Sequence, residues 1–121
     1  MNESNVVNLG LIVFPIIQQA LDEKCKGVRA FPVIAPKDSK GTIVVYARDG
    51  AIAPQTVFNS RGCTLQVNVV SEEYDEGVAV TSVVVDALLQ QQQFVCEMVD
   101  LLELFKDNKY YQAIAFEINF Y

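Results

Sequence analysis

The chain has 121 residues, a formal net charge of −6 and no histidine. No run of Lys or Arg and no basic helix face is present, so nucleic-acid binding through phosphate neutralisation is not expected. Without histidine, a histidine-based catalytic triad is excluded and the usual zinc sites are nearly excluded. The length and the hydrophobic fraction of 51% predict one folded domain over residues 1–121, with a flexible start over 1–8.

The N-terminal part predicts a helix. Its apolar residues recur at helical spacing at Leu9, Ile12, Val13, Ile16, Ile17, Ala20 and Leu21. Because Pro15 removes a backbone donor, the solid helix is predicted from Pro15 to Lys24, and an earlier start near Asn5 stays open. Gly27 is predicted to end it.

A short extended segment, a turn and a strand follow. Pro32 and Pro36 favour extended backbone over residues 28–36, and a polar turn is predicted at residues 37–41. Residues 42–48 are β-branched and aromatic and predict a strand. The next stretch, 49–62, is long for a hairpin connection, and loops of that length are often functional.

The middle of the chain predicts a strand that leads into a central helix. Residues 63–71 alternate, with the odd-numbered residues predicted to face the core. The helix is predicted to end near Gln90, and its apolar stripe is Val80, Val83, Val84, Ala87 and Leu88. Four acidic residues between 72 and 76 suit the positive end of a helix, although they are also candidate ligands for a hard cation.

The C-terminal part predicts two strands joined by a turn at residues 106–109. Residues 94–104 are predicted to form a strand with Val95, Val99 and Leu101 on one side. A helix over residues 101–105 stays open as an alternative. Residues 110–120 alternate, with the even-numbered apolar residues facing inward. The element order is therefore α-β-β-α-β-β, which predicts an α+β domain with an antiparallel sheet and two helices packed on one face.

No pattern in the sequence indicates an enzyme, a metal site or a cofactor site. No glycine-rich phosphate loop occurs, and the three cysteines lie far apart in the sequence at Cys25, Cys63 and Cys96. They are interpreted as buried reduced thiols. Charged and apolar residues on the predicted loops are candidates for a protein interface. These candidates are Lys37, Asp38, Lys40, Arg48, Asp49, Gln55, Phe58 and Arg61.

Several segments together resemble the tail-completion family of bacteriophages, which is similar in fold to tail terminator proteins. They are ALDEK at the end of the first helix, FPVIAP, TIVVYAR, TLQVNVVSEEYDEG leading into VAVTSVVVDALL, and AFEINFY at the C-terminus. The resemblance spans residues 9–120. The chain departs from it in the Gln90–Gln93 run and in the loop at 49–61.

The resemblance implies a structural protein without catalytic residues at the head–tail neck or tail end of a virion. It implies a homo-oligomer, as a six-subunit ring, that contacts tail-tube or head–tail connector proteins. Assembly is then expected in the cytoplasm of the bacterial host, without membrane contact. The rival interpretation is a dimeric cytoplasmic α+β domain that binds a small ligand or regulates another protein. An enzyme with carboxylate-only chemistry is a third alternative.

Overall fold

A computed structural model describes residue 5, residues 7–49 and residues 62–121. Within these ranges the chain forms two helices and five strands. They are α1 (Leu9–Lys24), β1 (Arg29–Pro32), β2 (Ile43–Asp49), β3 (Gly62–Ser71), α2 (Tyr74–Gln90), β4 (Phe94–Lys106) and β5 (Lys109–Phe120). The α+β class is confirmed.

The strands form one sheet in the order β1-β2-β3-β5-β4. The pairs β2–β3, β3–β5 and β4–β5 are antiparallel, as predicted, but β1 pairs with β2 in parallel. The sheet is therefore mixed and has a fifth strand. The sequence prediction of a fully antiparallel sheet was wrong because the proline-bearing segment enters the sheet as a short edge strand.

Both helices pack on the same face of the sheet and share its hydrophobic core. The predicted inward residues of β3 and β5 are buried, which confirms the alternation. From α1 the core takes Leu9, Val13, Ile17 and Leu21, and from α2 it takes Val80, Val84 and Leu88. α1 lies over β1 and β2, whereas α2 lies over β3, β5 and β4.

The first helix begins earlier than the favoured prediction. It starts at Leu9, six residues before Pro15. Leu9 and Val13 are fully buried, so packing of this first part outweighs the cost of a proline within the helix. The predicted stop is confirmed: the helix ends at Lys24, and Gly27 adopts a left-handed φ of 90°.

The last two strands form a tight hairpin. Asp107 and Asn108, the two residues between them, both have positive φ, at 54° and 62°. Such a two-residue turn matches the twist of its strands, and Asp and Asn tolerate this backbone. The predicted turn is confirmed, and the helix left open over residues 101–105 is not present, because β4 continues to Lys106.

Candidate subunit interface

β4 is a long edge strand whose apolar side chains are exposed. It has 13 residues and pairs with β5 along one side, while the other side has no neighbouring strand among the described residues. Beyond Phe94 nearly every side chain is exposed. The large apolar ones are Val95, Met98, Val99, Leu101, Leu102, Leu104 and Phe105. Long apolar edges of this kind readily pair with another chain, and proteins usually block them.

A bulge in β4 distributes these side chains over both faces of the sheet. The register shifts between Met98, opposite Phe116, and Asp100, opposite Ala115. Cross-strand partners lie on the same face, so Leu101, opposite buried Ile114, lies on the helix side. Val95, Leu102 and Leu104 lie on the open face, and Cys96, Met98, Leu101 and Phe105 lie on the helix side. The prediction that Val95 and Leu101 share a side was wrong because the bulge inserts one residue.

On the helix side, β4 and α2 enclose an apolar groove of about 290 Å³. At one end Glu103 Oε2 accepts hydrogen bonds from the Tyr74 hydroxyl at 2.8 Å and from Gln112 Nε2 at 2.9 Å. The bond from Tyr74 and then that from Gln112 lower the pKa of Glu103. The same bond to Glu103 raises the pKa of Tyr74, with smaller effects of burial and of the negative charges of Glu103 and Asp75. These hydrogen bonds join α2 to the hairpin of β4 and β5 at this end of the groove.

On the open face, a second groove of about 440 Å³ runs from β4 to the connection between β1 and β2. Since β1 and β2 are parallel, residues 33–42 must return along the sheet to begin β2. Val33, Ile34 and Ala35 line this groove together with Leu104 and Tyr111. Val33 and Ile34 are 73% and 77% exposed. We call residues 33–42 the crossover segment.

Val33 occupies a strained backbone position. Its φ is +66°, which is a genuine outlier for a β-branched residue. The amide of Ile34 donates to the carbonyl of Pro32 at 2.6 Å, so Val33 is the centre of a three-residue turn. An exposed apolar side chain held in this conformation contributes no burial within the chain, and backbone strain of this kind is concentrated at functional sites.

Four of the eight sequence-predicted interface residues have described side chains. Lys37, Asp38 and Lys40 are exposed on the crossover segment, in a turn where the Ser39 amide donates to Pro36 O at 3.1 Å. Arg48 is exposed on β2. Asp49 is the last residue of β2; its side chain, with Gln55, Phe58 and Arg61, lies outside the described residues.

The sequence reasoning missed β4 as an interface candidate. It placed the interface on and around loops, and it predicted residues 94–104 as a strand of mixed pattern, with a helix over 101–105 left open. The available indication was the run from Met98 to Phe105, in which six of eight residues are apolar and the alternation breaks at Val99. A run this rich in apolar residues without strict alternation predicts, in a strand, apolar side chains on both faces.

The three cysteines are free, but only Cys63 is buried. Cys25 and Cys96 are partly exposed, so the prediction of buried thiols is wrong for these two. Burial, with a smaller effect of the neighbouring Glu97 charge, raises the pKa of Cys96 to about 12. Its thiol is therefore protonated at neutral pH and is a weak nucleophile.

Acidic residues do not converge on a metal site in the described parts of the chain. No group of three or more His, Cys, Asp or Glu side chains is placed there to hold an ion. At the start of α2, Asp75 and Glu76 lie in the first turn, where they suit the helix dipole. Over residues 7–49 and 62–121, no helix is long and apolar enough to cross a membrane.

The comparisons with known proteins assign no family to this chain. No protein family matches the chain, and no curated protein matches it significantly.

Proposed function

We propose that this chain is a structural subunit of the head–tail neck or tail end of a bacteriophage or prophage. It acts as one copy in a ring that completes or terminates the tail tube. Assembly takes place in the cytoplasm of the bacterial host, and the finished ring belongs to the virion. Its partners are other copies of itself and tail-tube or connector proteins, and it has no catalytic role.

The observation that carries the proposal is β4. Its exposed leucines and Phe105 give the chain an apolar surface that no described element covers. Contiguous exposed apolar surface on a small protein marks an interaction site. The resemblance to tail-completion proteins suggests that this surface is where neighbouring subunits pack side by side. A contact of this kind, repeated from copy to copy, closes into a ring.

The first test is the solution mass by light scattering after size exclusion, over a range of concentrations. A ring-sized assembly supports the proposal, and so does ring formation when a tail-tube protein is added. We expect Leu102→Thr/Leu104→Thr to reduce the assembly to monomers, because threonine keeps the strand propensity but removes apolar surface. Leu11→Gln is the matched control, since Leu11 is 77% exposed on α1 and lies outside β4.

A second function, a dimeric domain that binds a small ligand, is favoured by the helix-side groove. The groove is predominantly apolar, close in volume to small-ligand sites, and has the polar cluster of Tyr74, Glu103 and Gln112 at one end. Native mass spectrometry of the purified protein tests it. A bound metabolite with a stable dimer at every concentration would favour this second function over the ring.

A further inference from the structure

Charge is distributed unequally between the two ends of the sheet. Residues 62–106, which span β3, α2 and β4, contain eight acidic residues and one basic residue, Lys106 at the end of β4. The acids are Glu72, Glu73, Asp75, Glu76, Asp86, Glu97, Asp100 and Glu103. Residues 24–40, which form β1 and part of the crossover segment, contain one acid, Asp38, and five of the nine basic residues. The five are Lys24, Lys26, Arg29, Lys37 and Lys40. Asp22 and Glu23 precede this stretch on α1.

The β4 edge is acidic, like the part of the chain to which it belongs. Glu97 and Asp100 are exposed on the open face, next to Leu102 and Leu104, and Glu97 lies directly opposite Glu117 of β5. A symmetric dimer through β4 would bring the acids of both copies, Glu97, Asp100 and Glu103, to one interface. Like charges directly opposite each other destabilise strand pairing. The edge therefore favours a partner that is apolar and basic.

The opposite edge of the sheet is closed to strand addition. The side chain of Gln18 donates to the carbonyl of Val28 at 3.1 Å and accepts from the amide of Ala30 at 2.8 Å. These bonds occupy the amide of Ala30 in β1 and the carbonyl of Val28 just before it, two groups that an added strand would use. A partner at this end must therefore bind through side chains, and the crossover segment offers exposed Val33 and Ile34 beside Lys37 and Lys40.

We infer that the acidic β4 edge of one copy docks on the basic crossover segment of the next, in a head-to-tail contact. Leu102 and Leu104 pack against Val33 and Ile34, and the acids of β4 pair with lysines of the crossover segment. Within one copy the two surfaces are the two sides of the open-face groove, which Leu104 lines together with Val33 and Ile34. Each copy uses them with two different neighbours, so the contact is heterologous and repeats around a ring. This inference rests on the proposed function and names the two surfaces that would build its ring.

The test uses two charge-reversal variants of the full chain. One variant, Glu97→Lys/Asp100→Lys, makes the β4 edge basic; the other, Lys37→Glu/Lys40→Glu, makes the crossover segment acidic. Each variant alone presents like charges at both surfaces, so we expect each to be monomeric by light scattering. Mixed in equal amounts, they offer opposite charges at every contact and should recover the wild-type mass. Asp86→Lys, an exposed acid on α2, is the control for a general charge effect and should keep that mass.

Salt dependence gives a second readout. Raising NaCl from about 0.1 M to about 1 M shortens the Debye length from roughly 10 Å to 3 Å. The wild-type dissociation constant should then rise about tenfold, as expected for a few exposed charge pairs. Circular dichroism of each variant separates loss of assembly from loss of fold.

The outcomes separate the inference from the proposed function. Wild-type assembly that persists in both folded variants overturns the inference and leaves the ring proposal standing. Disruption by the β4 variant alone, with the crossover variant still assembled, indicates a symmetric β4 contact and also overturns it. Failure of the mixture to recover the wild-type mass does the same. A wild-type monomer at every concentration, also with a tail-tube protein present, overturns both.

Discussion

The two edges of the sheet are built in opposite ways. β1 has four residues, and the buried side-chain amide of Gln18 bonds to the amide of Ala30 within it and to the carbonyl of Val28 just before it. β4 has 13 residues, and the exposed leucines along it are not covered by any described element. Proteins normally protect exposed edges against pairing with other chains. The difference shows that this chain can protect an edge, and it makes the unprotected one a candidate for a functional contact.

The largest effect is expected at the closed edge. Gln18→Ala removes the partners of two buried backbone groups, the Val28 carbonyl and the Ala30 amide. Each unsatisfied group costs roughly 1–3 kcal/mol, so we expect the loss of both to lower the free energy of unfolding by about 2–6 kcal/mol. Gln19→Ala is the control, because the neighbouring Gln19 is exposed. Urea unfolding of both variants measures the difference; equal losses would contradict the role given to Gln18.

A second large effect is expected where β3 leads into α2. A Cβ added at Gly77 would collide with the Ser71 hydroxyl oxygen and lie 3.3 Å from Ser71 Cβ. Overpacking of this kind costs about 1–3 kcal/mol, so Gly77→Ala should lower the unfolding free energy by that amount.

The matched control lies in the other half of the molecule. At Gly10 in α1, an added Cβ would make an ordinary contact with Tyr46 at 3.8 Å. Alanine also has the higher helix propensity, so Gly10→Ala should stabilise by up to about 1 kcal/mol. A loss of stability in both variants would mean that the close approach of Ser71 is not the cause.

Much of the fold could be predicted from short-range patterns. The buried faces of β3, β5 and α2 follow from period-2 and period-3.6 spacing, and the hairpin turn follows from Asp107 and Asn108. The parallel pairing of β1 could not be predicted in this way. It joins residues 29–32 to residues 43–46 across the crossover segment, and no local pattern in the sequence specifies the direction of that pairing.

The candidate interface was harder to predict for a related reason. The lysines of the crossover segment were recognised because loops with charged residues commonly contact partners. The exposure of β4 depends on its place at the end of the strand order, which no local pattern specifies. The bulge at Val99 also changes which side chains share a face, and the break in alternation there does not by itself show which residue is the extra one.

A smaller effect is expected at Val33. Asparagine tolerates a positive φ better than valine, so Val33→Asn should raise the unfolding free energy by about 1 kcal/mol while it removes an exposed apolar side chain. Ile34→Asn, at a position without positive φ, should change it by less than about 0.5 kcal/mol. If Val33 serves assembly, its variant will be more stable and associate more weakly. A less stable Val33→Asn protein would show that the strain is compensated within the chain.

The smallest effect is a pH dependence at the open edge. The lowered pKa of Glu103 means that its hydrogen bonds stabilise the fold above its ordinary value of 4.5 and are lost as pH falls through the folded-state pKa. The raised pKa of Tyr74 means that its contribution is present below 10.0 and is lost as pH rises through its own folded-state value. The melting temperature of Tyr74→Phe should therefore depend less on pH than that of the wild type, both at low and at high pH. Tyr121→Phe, at an exposed C-terminal tyrosine, should keep the wild-type pH dependence.

The bulge in β4 also determines how the strand tolerates a change of length. Val99 is the extra residue at the register shift, so a chain without it would pair Met98 with Phe116 and Asp100 with Ala115 as consecutive pairs of a regular ladder. Leu102 and Leu104 would stay on the open face, and Glu103 would stay beside Tyr74. A residue added or removed elsewhere in β4 has no bulge to absorb it and would reverse the faces of the side chains on one side of the change. Homologues that vary in length along this strand are therefore expected to do so at Val99.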